Sequence, residues 1–148
     1  MLYVYEFEVF ESEGSLLAFP FDFGGGTQGD TEKEIAEMAA DWLRVDIEHR
    51  LIHGIALPEA TFGNKPKHGG RILLVAIEVS LDTIDAVAAH EAADMLGVSR
   101  GRITQMVSSG VLEGFRKGRD AYVTVDSIEA RLADTPTAGR PRKELAKA

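Results

Sequence analysis

The chain has 148 residues, enough for one ordinary domain or two very small ones and too short for a large multi-domain enzyme. Apolar residues make up 45% and charged residues 27%, which excludes wholesale disorder, and a formal charge of −8 excludes a uniformly basic nucleic-acid coat. Cysteine is absent, which removes disulfides, thiolate zinc sites and cysteine catalysis together.

In chain order, Tyr3, Tyr5, Phe7 and Val9 alternate with Val4, Glu6 and Glu8, the period-two pattern of a half-buried strand. Glu13-Gly14-Ser15 is a hairpin turn. Leu17, Phe19, Phe21 and Phe23 then share one face of a second strand, and the aromatic row is expected in the core; Pro20 argues against a central position in the sheet. Gly24-Gly25-Gly26 breaks that strand, leaving Thr27 to Gly29 as a short third one at best. Thr31 followed by Glu34 is a capping box, and Ile35, Met38, Ala39, Trp42, Val45 and Ile52 recur at helical spacing, so a long helix is expected from Glu32 to His53, closed by Gly54. Pro58 to Gly70 is a loop rich in Gly, Pro, Lys and Asn. Ile72 to Val79 is a nearly continuous apolar run, expected to be a strand buried on both faces and reached by a right-handed crossover. The first ~80 residues thus form a small ββ(β)αβ sandwich in this reading.

Leu81 to Ala88 is ambiguous between linker and helix. From Ala89 the order is helix, glycine turn at Gly97, and a second helix capped by Ser99. Ala92, Ala93, Leu96, Ile103, Met106 and Val107 supply the contacts between the two helices, leaving Arg100, Thr104 and Gln105 outward and Arg102 near the boundary. Phe115 to Arg119 and Ala121 to Val125 form a basic hairpin. Asp126 and Glu129 are expected to cap a last short helix to Ala133. Thr135 to Ala148 is polar and Pro-containing, with the composition of a disordered tail. The domains expected are therefore 1–80, 81–134 and the tail 135–148.

Charge divides the same way. Through Ser80 there are 14 acidic and 6 basic side chains, net −8; from Leu81 onward there are 10 of each. Gly97 to Val125 is locally +3, and so is the tail from Thr135. An acidic body joined to a locally basic module favours a polyanion at one end and a basic partner at the other.

A helix-turn-helix with a basic hairpin fits double-stranded DNA, because a helix enters the major groove and its N-terminal turn presents side chains to base edges and phosphates. The expected DNA-binding residues are Ser99, Arg100, Arg102, Thr104 and Gln105, with Arg116, Lys117 and Arg119 along the backbone or minor groove. A helical hairpin that binds protein is the plainer rival. Gly139-Arg140-Pro141 resembles an AT-hook core, which adds Arg140, although Glu144 follows closely and the tail is better read as adding nonspecific attraction.

Catalysis has little support. His49 and His53 are spaced i, i+4, but Arg50-Leu51 stands where a zinc-protease motif needs its glutamate. Glu6, Glu8, Asp22 and Asp30 could be imagined as paired metal-binding carboxylates, yet Glu6 and Glu8 fall on the presumed polar face of a strand and Asp30 precedes a helix cap. The triple glycine lacks the Gly-Lys-Ser/Thr ending of a phosphate loop. No catalytic residue, metal or cofactor is expected. The first residues, Met1-Leu2-Tyr3-Val4-Tyr5-Glu6, lack the basic flank and apolar stretch of a secretory signal, and no apolar run approaches a membrane span, so a cytoplasmic protein without membrane attachment is expected.

Phe19-Pro20, Gly24, Thr27-Gln28-Gly29-Asp30-Thr31 and Glu34, followed by Gly54-Ile55-Ala56-Leu57-Pro58, resemble the signature of HicB-type antitoxins over Leu2 to Val79. The sequence departs from that pattern at Phe21-Asp22-Phe23, where the family commonly has Asp-Leu-Pro, and in two extra glycines. Residues Ala88 to Ala133 resemble the winged helix-turn-helix of excisionase-like and MerR-like regulators. The resemblance implies an α+β protein: a degenerate RNase H-like domain that silences a small basic RNA-cleaving toxin of the HicA type, and a DNA-binding domain that represses the operon. It further implies a homodimer or homotetramer, since two-fold operators need at least a dimer. The rival from another class is a stand-alone transcription regulator or excisionase-like protein whose first domain dimerises or senses a ligand.

Overall fold

Alternating apolar residues at the N-terminus build β1 (Leu2–Ser12), which turns through Glu13 and Gly14 into β2 (Ser15–Pro20). Both turn residues have positive φ, 49° and 83°, the conformation that matches a two-residue hairpin loop to the twist of its strands. β3 (Thr27–Gly29), α1 (Glu32–His53) and β4 (Arg71–Glu78) follow. The computed structural model describes residues 1–134, and its packing divides into one unit of Met1–Thr83 and a second that begins at Ile84.

In the first unit the strand order is β3-β2-β1-β4 and every neighbouring pair is antiparallel. This corrects the expected crossover. A strand that follows a helix directly pairs parallel to the strand beside it; here residues 54–70 run back along the sheet after α1 and reverse the entry of β4. Val9 therefore pairs with Arg71 and Leu2 with Glu78. β4 is an edge strand with one buried face, carrying Val75 and Ile77, and not a strand buried on both sides. β2 does lie inside the sheet despite Pro20. The proline ends the strand, beyond the Leu16–Ala18 segment that β3 pairs, so it interrupts no ladder on that side.

α1 starts and stops where Thr31 and Gly54 place it. The Thr31 hydroxyl accepts from the Glu34 amide at 3.1 Å, and the Glu34 carboxylate accepts from the Asp30 amide at 2.5 Å. Its buried face is Ile35, Ala39, Leu43 and Ile47, packed on Tyr5, Phe7 and Val9 of β1 and on Val75 and Ile77 of β4. Met38 and Val45, expected on this face, are exposed, Val45 at 65%. The helix carries two apolar stripes, and periodicity alone merges them. The aromatic row divides likewise: Phe23 is buried between Tyr5 and Trp42, whereas Phe19 is on the opposite face and exposed. Leu16 and Ala18 supply the core residues of β2.

The second unit contains β5 (Ala86–Ala88), α2 (Ala89–Leu96), α3 (Arg100–Ser108), β6 (Gly114–Lys117), β7 (Asp120–Thr124) and a helix over 125–134, α4. The stretch read as linker or helix is thus a strand, and β5-β7-β6 is a three-stranded antiparallel sheet. Ala92, Ala93, Ile103, Met106, Leu112, Val123 and Ile128 form the core. Thr124, rather than Asp126, caps α4, its hydroxyl accepting from the Ser127 amide at 3.3 Å. Among the described residues no helix is long and apolar enough to cross a membrane.

Candidate nucleic-acid interface

Two local devices fix α3. Gly97 takes a left-handed conformation, φ 67°, that ends α2 and lets the Val98 amide reach the Ala93 carbonyl at 3.0 Å; a residue with a Cβ would be strained there. Ser99 then caps α3, its hydroxyl accepting from the Arg102 amide at 3.1 Å. Ile103 and Met106 anchor the helix in the core, so Arg100, Arg102, Thr104 and Gln105 project from its solvent side. Arg102 Nη1 lies 3.4 Å from Gln105 Oε1, and the Thr104 hydroxyl is 3.3 Å from the Arg100 carbonyl.

The first turn of α3 holds two arginines and no acid. Cations at a helix N-terminus oppose the helix dipole by roughly 0.3–1 kcal/mol each, so this distribution weakens the free helix and suits one that receives an anion there. A DNA phosphate meets both the unpaired amides and the guanidinium groups. Four of the five sequence-predicted residues are exposed around this turn and along the same face; Ser99 acts as the cap that orients them.

The hairpin β6–β7 forms the wing. Arg116 Nη2 donates to the Arg119 carbonyl at 2.8 Å across the turn, so Arg116 braces the hairpin as well as charging it. Lys117 Nζ sits 5.1 Å from the centre of the Tyr122 ring, which in turn stacks on Phe115. Gly114 lets β6 press on α3: a Cβ there would meet the Tyr122 carbonyl at 2.8 Å and Val107 at 3.1 Å. The groove left between α3 and the wing, about 220 Å³, adds Ser108 and Tyr122 to the surface. Ser108 lies four residues from Thr104 and could have been found by helical spacing; Tyr122 needed the wing to be folded. Arg140 lies outside the described residues.

In the first unit, the carboxylates considered as metal ligands are occupied otherwise. Glu6 and Glu8 point to the sheet face opposite α1, and the returning segment covers them, leaving 6% and 2% exposure. Glu6 accepts from the Gly63 and Asn64 amides and from Asn64 Nδ2 at 2.9–3.0 Å. Glu8 accepts from the Lys67, His68 and Gly70 amides at 2.8–3.0 Å. Glu6 is therefore held below the ordinary carboxylate range by the Gly63 and Asn64 bonds. For Glu8 burial pushes upward, but its three amide donors outweigh it and leave it lowered as well. Asp22 accepts from the amide and the hydroxyl of Thr61, at 2.9 and 2.7 Å. These residues hold a strap, which sequence alternation, equating polar with exposed, did not reveal.

The outer stripe of α1 makes a second candidate surface. Met38, Trp42 and Val45 line a groove of about 480 Å³ beside Thr27, with Asp41 and Asp46 among its walls. His49 is also there, its ring 4.4 Å from that of His53.

A family model described as a helix-turn-helix domain matches residues 89–135. No curated protein matches the chain. The C-terminal unit is thus a helix-turn-helix domain, of a DNA-binding class, joined to a mixed α+β unit.

Proposed function

We propose that this protein is a non-enzymatic, sequence-specific DNA-binding regulator and, more finely, the antitoxin of a HicA/HicB-type pair that neutralises a small basic RNA-cleaving toxin and represses its own operon. The observation that carries the DNA-binding part is the acid-free first turn of α3, where Arg100 and Arg102 stand over a capped helix end beside a basic wing. Arginine can read guanine bidentately, and Thr104 and Gln105 lie on the same solvent side to reach neighbouring bases.

The antitoxin part rests on the Thr27 to Glu34 signature and on charge. An N-terminal unit of net −8 through Ser80, with an apolar stripe flanked by Asp41 and Asp46, offers a basic protein both attraction and anchors. In this reading the βββαβ unit is the degenerate RNase H-like module, with Glu6 and Glu8 tying the strap. The test is to tag the chain in its native host, treat the lysate with nuclease so that nucleic acid cannot bridge, and identify what copurifies. A stoichiometric small basic protein whose toxicity the chain suppresses supports the antitoxin. Self-association alone moves the reading to the stand-alone regulator, with which the helix-turn-helix match agrees equally well.

A further inference from the structure

The two edges of the N-terminal sheet differ. β3 is three residues long and ends in Gly29, a blunted edge. β4 is eight residues of Arg-Ile-Leu-Leu-Val-Ala-Ile-Glu, and among the described residues no strand lies beyond it. It carries no proline and no charge between its ends. Its outer side chains are Ile72, Leu74 and Ala76, with Leu74 59% exposed, and Leu2 beside Glu78 on β1 is 62% exposed. A long apolar edge is a template for another strand.

We propose that the occupant is β4 of a second copy, paired antiparallel about a two-fold axis at Leu74. Such pairing is isologous and needs one surface only. Side chains directly opposite each other share a face, so both copies keep α1 on the same side only when the paired residue numbers sum to an even value. Centring on Leu74 sets Leu74 against Leu74, Ile72 against Ala76 and Glu78 against Gly70. Centring on Val75 would set Glu78 against Ile72, and is worse. The strand also has opposite charges at its ends, so each Arg71 comes within a residue of the partner's Glu78 end. The chains would leave the paired strands at Glu78, eight residue steps apart, about 27 Å. That is the scale of the ~34–36 Å between half-sites one DNA turn apart, an argument that rests on the regulator reading.

The chain has no cysteine, so single cysteines report cleanly. Full-length Leu74→Cys, Ile72→Cys and Ala76→Cys are oxidised without DNA, and covalent dimer is read on a non-reducing gel beside sedimentation of the unmodified protein. The expected result is a sedimenting dimer that crosslinks through position 74 at least tenfold faster than through 72 or 76, whose symmetry mates lie about 14 Å apart. Leu74→Lys should weaken the dimer at least tenfold while its circular dichroism stays native. A monomeric chain, as expected if the edge takes a strand of another protein, overturns the proposal. So does equal crosslinking at all three positions, or a dimer untouched by Leu74→Lys. The readout contains no DNA: failure here leaves operator binding by α3 standing, and loss of operator binding with an intact crosslink strikes only the regulator reading.

Discussion

In the N-terminal unit the conspicuous charges face inward: Glu6 and Glu8 each accept three hydrogen bonds from the strap, and Asp22 holds Thr61. In the C-terminal unit the arginines of α3 and the wing end in solvent, where only Arg102 and Arg116 have described protein partners, Gln105 and the Arg119 carbonyl. One set of charges builds a fold. The other is held out from a fold that Ile103, Met106 and Val123 build without it. Count and sign of charge do not separate these roles; the donors within reach do.

The contrast can be broken most sharply at α3. Replacing Arg100 and Arg102 together by alanine should lower operator affinity by about 2–6 kcal/mol while leaving the melting curve nearly unchanged, read by gel shift and calorimetry. A parallel loss of fold would place these arginines with the structural charges. Leu43→Ala is the converse, removing a fully buried side chain from the first unit at about 2–5 kcal/mol, with Met38→Ala from the exposed stripe costing well under 1 kcal/mol by urea unfolding. Equal costs would refute the assignment of the two stripes.

Glu8→Gln comes next, at about 2 kcal/mol, because an amide cannot accept from three donors without presenting its own N–H groups to them. Since Glu6 and Glu8 are both lowered in the folded chain, their contribution is complete above the ordinary carboxylate value of 4.5 and is lost as pH falls through the folded values. Acid titration should therefore release the strap, visible as faster hydrogen exchange over residues 61–70, before the C-terminal unit responds. Ser99→Ala is the smallest change, about 1 kcal/mol from a lost cap, and should weaken DNA binding without altering base preference, measured across a panel of operator variants.

Much of this was legible. The bounds of α1 follow from a capping threonine and a closing glycine, and the α2–Gly97–α3 order from local chemistry that acts within a few residues. What local chemistry does not encode was missed. The direction of β4 depends on a strap that retraces the sheet; β5 is three residues that become a strand only because β7 is there to pair them. Leu43 and Ile47 were overlooked because Met38 and Val45 satisfy the same helical period. In the candidate interface, Arg100, Arg102, Thr104 and Gln105 were readable from spacing, whereas the bracing of Arg116 and the contribution of Tyr122 require the folded hairpin.

The position of β1 at the centre of its sheet has a bearing on synthesis. The first strand to leave the ribosome has one neighbour close at hand, β2, and waits for the other until Glu78 has emerged to meet Leu2. Pairings so distant in sequence form slowly, while the most remote strand pairing of the C-terminal unit, Ala86 with Thr124, closes a much shorter loop. A nascent chain would carry its half-paired sheet through most of the making of the first unit, a window in which proteases or chaperones can act on it before its DNA-reading end exists.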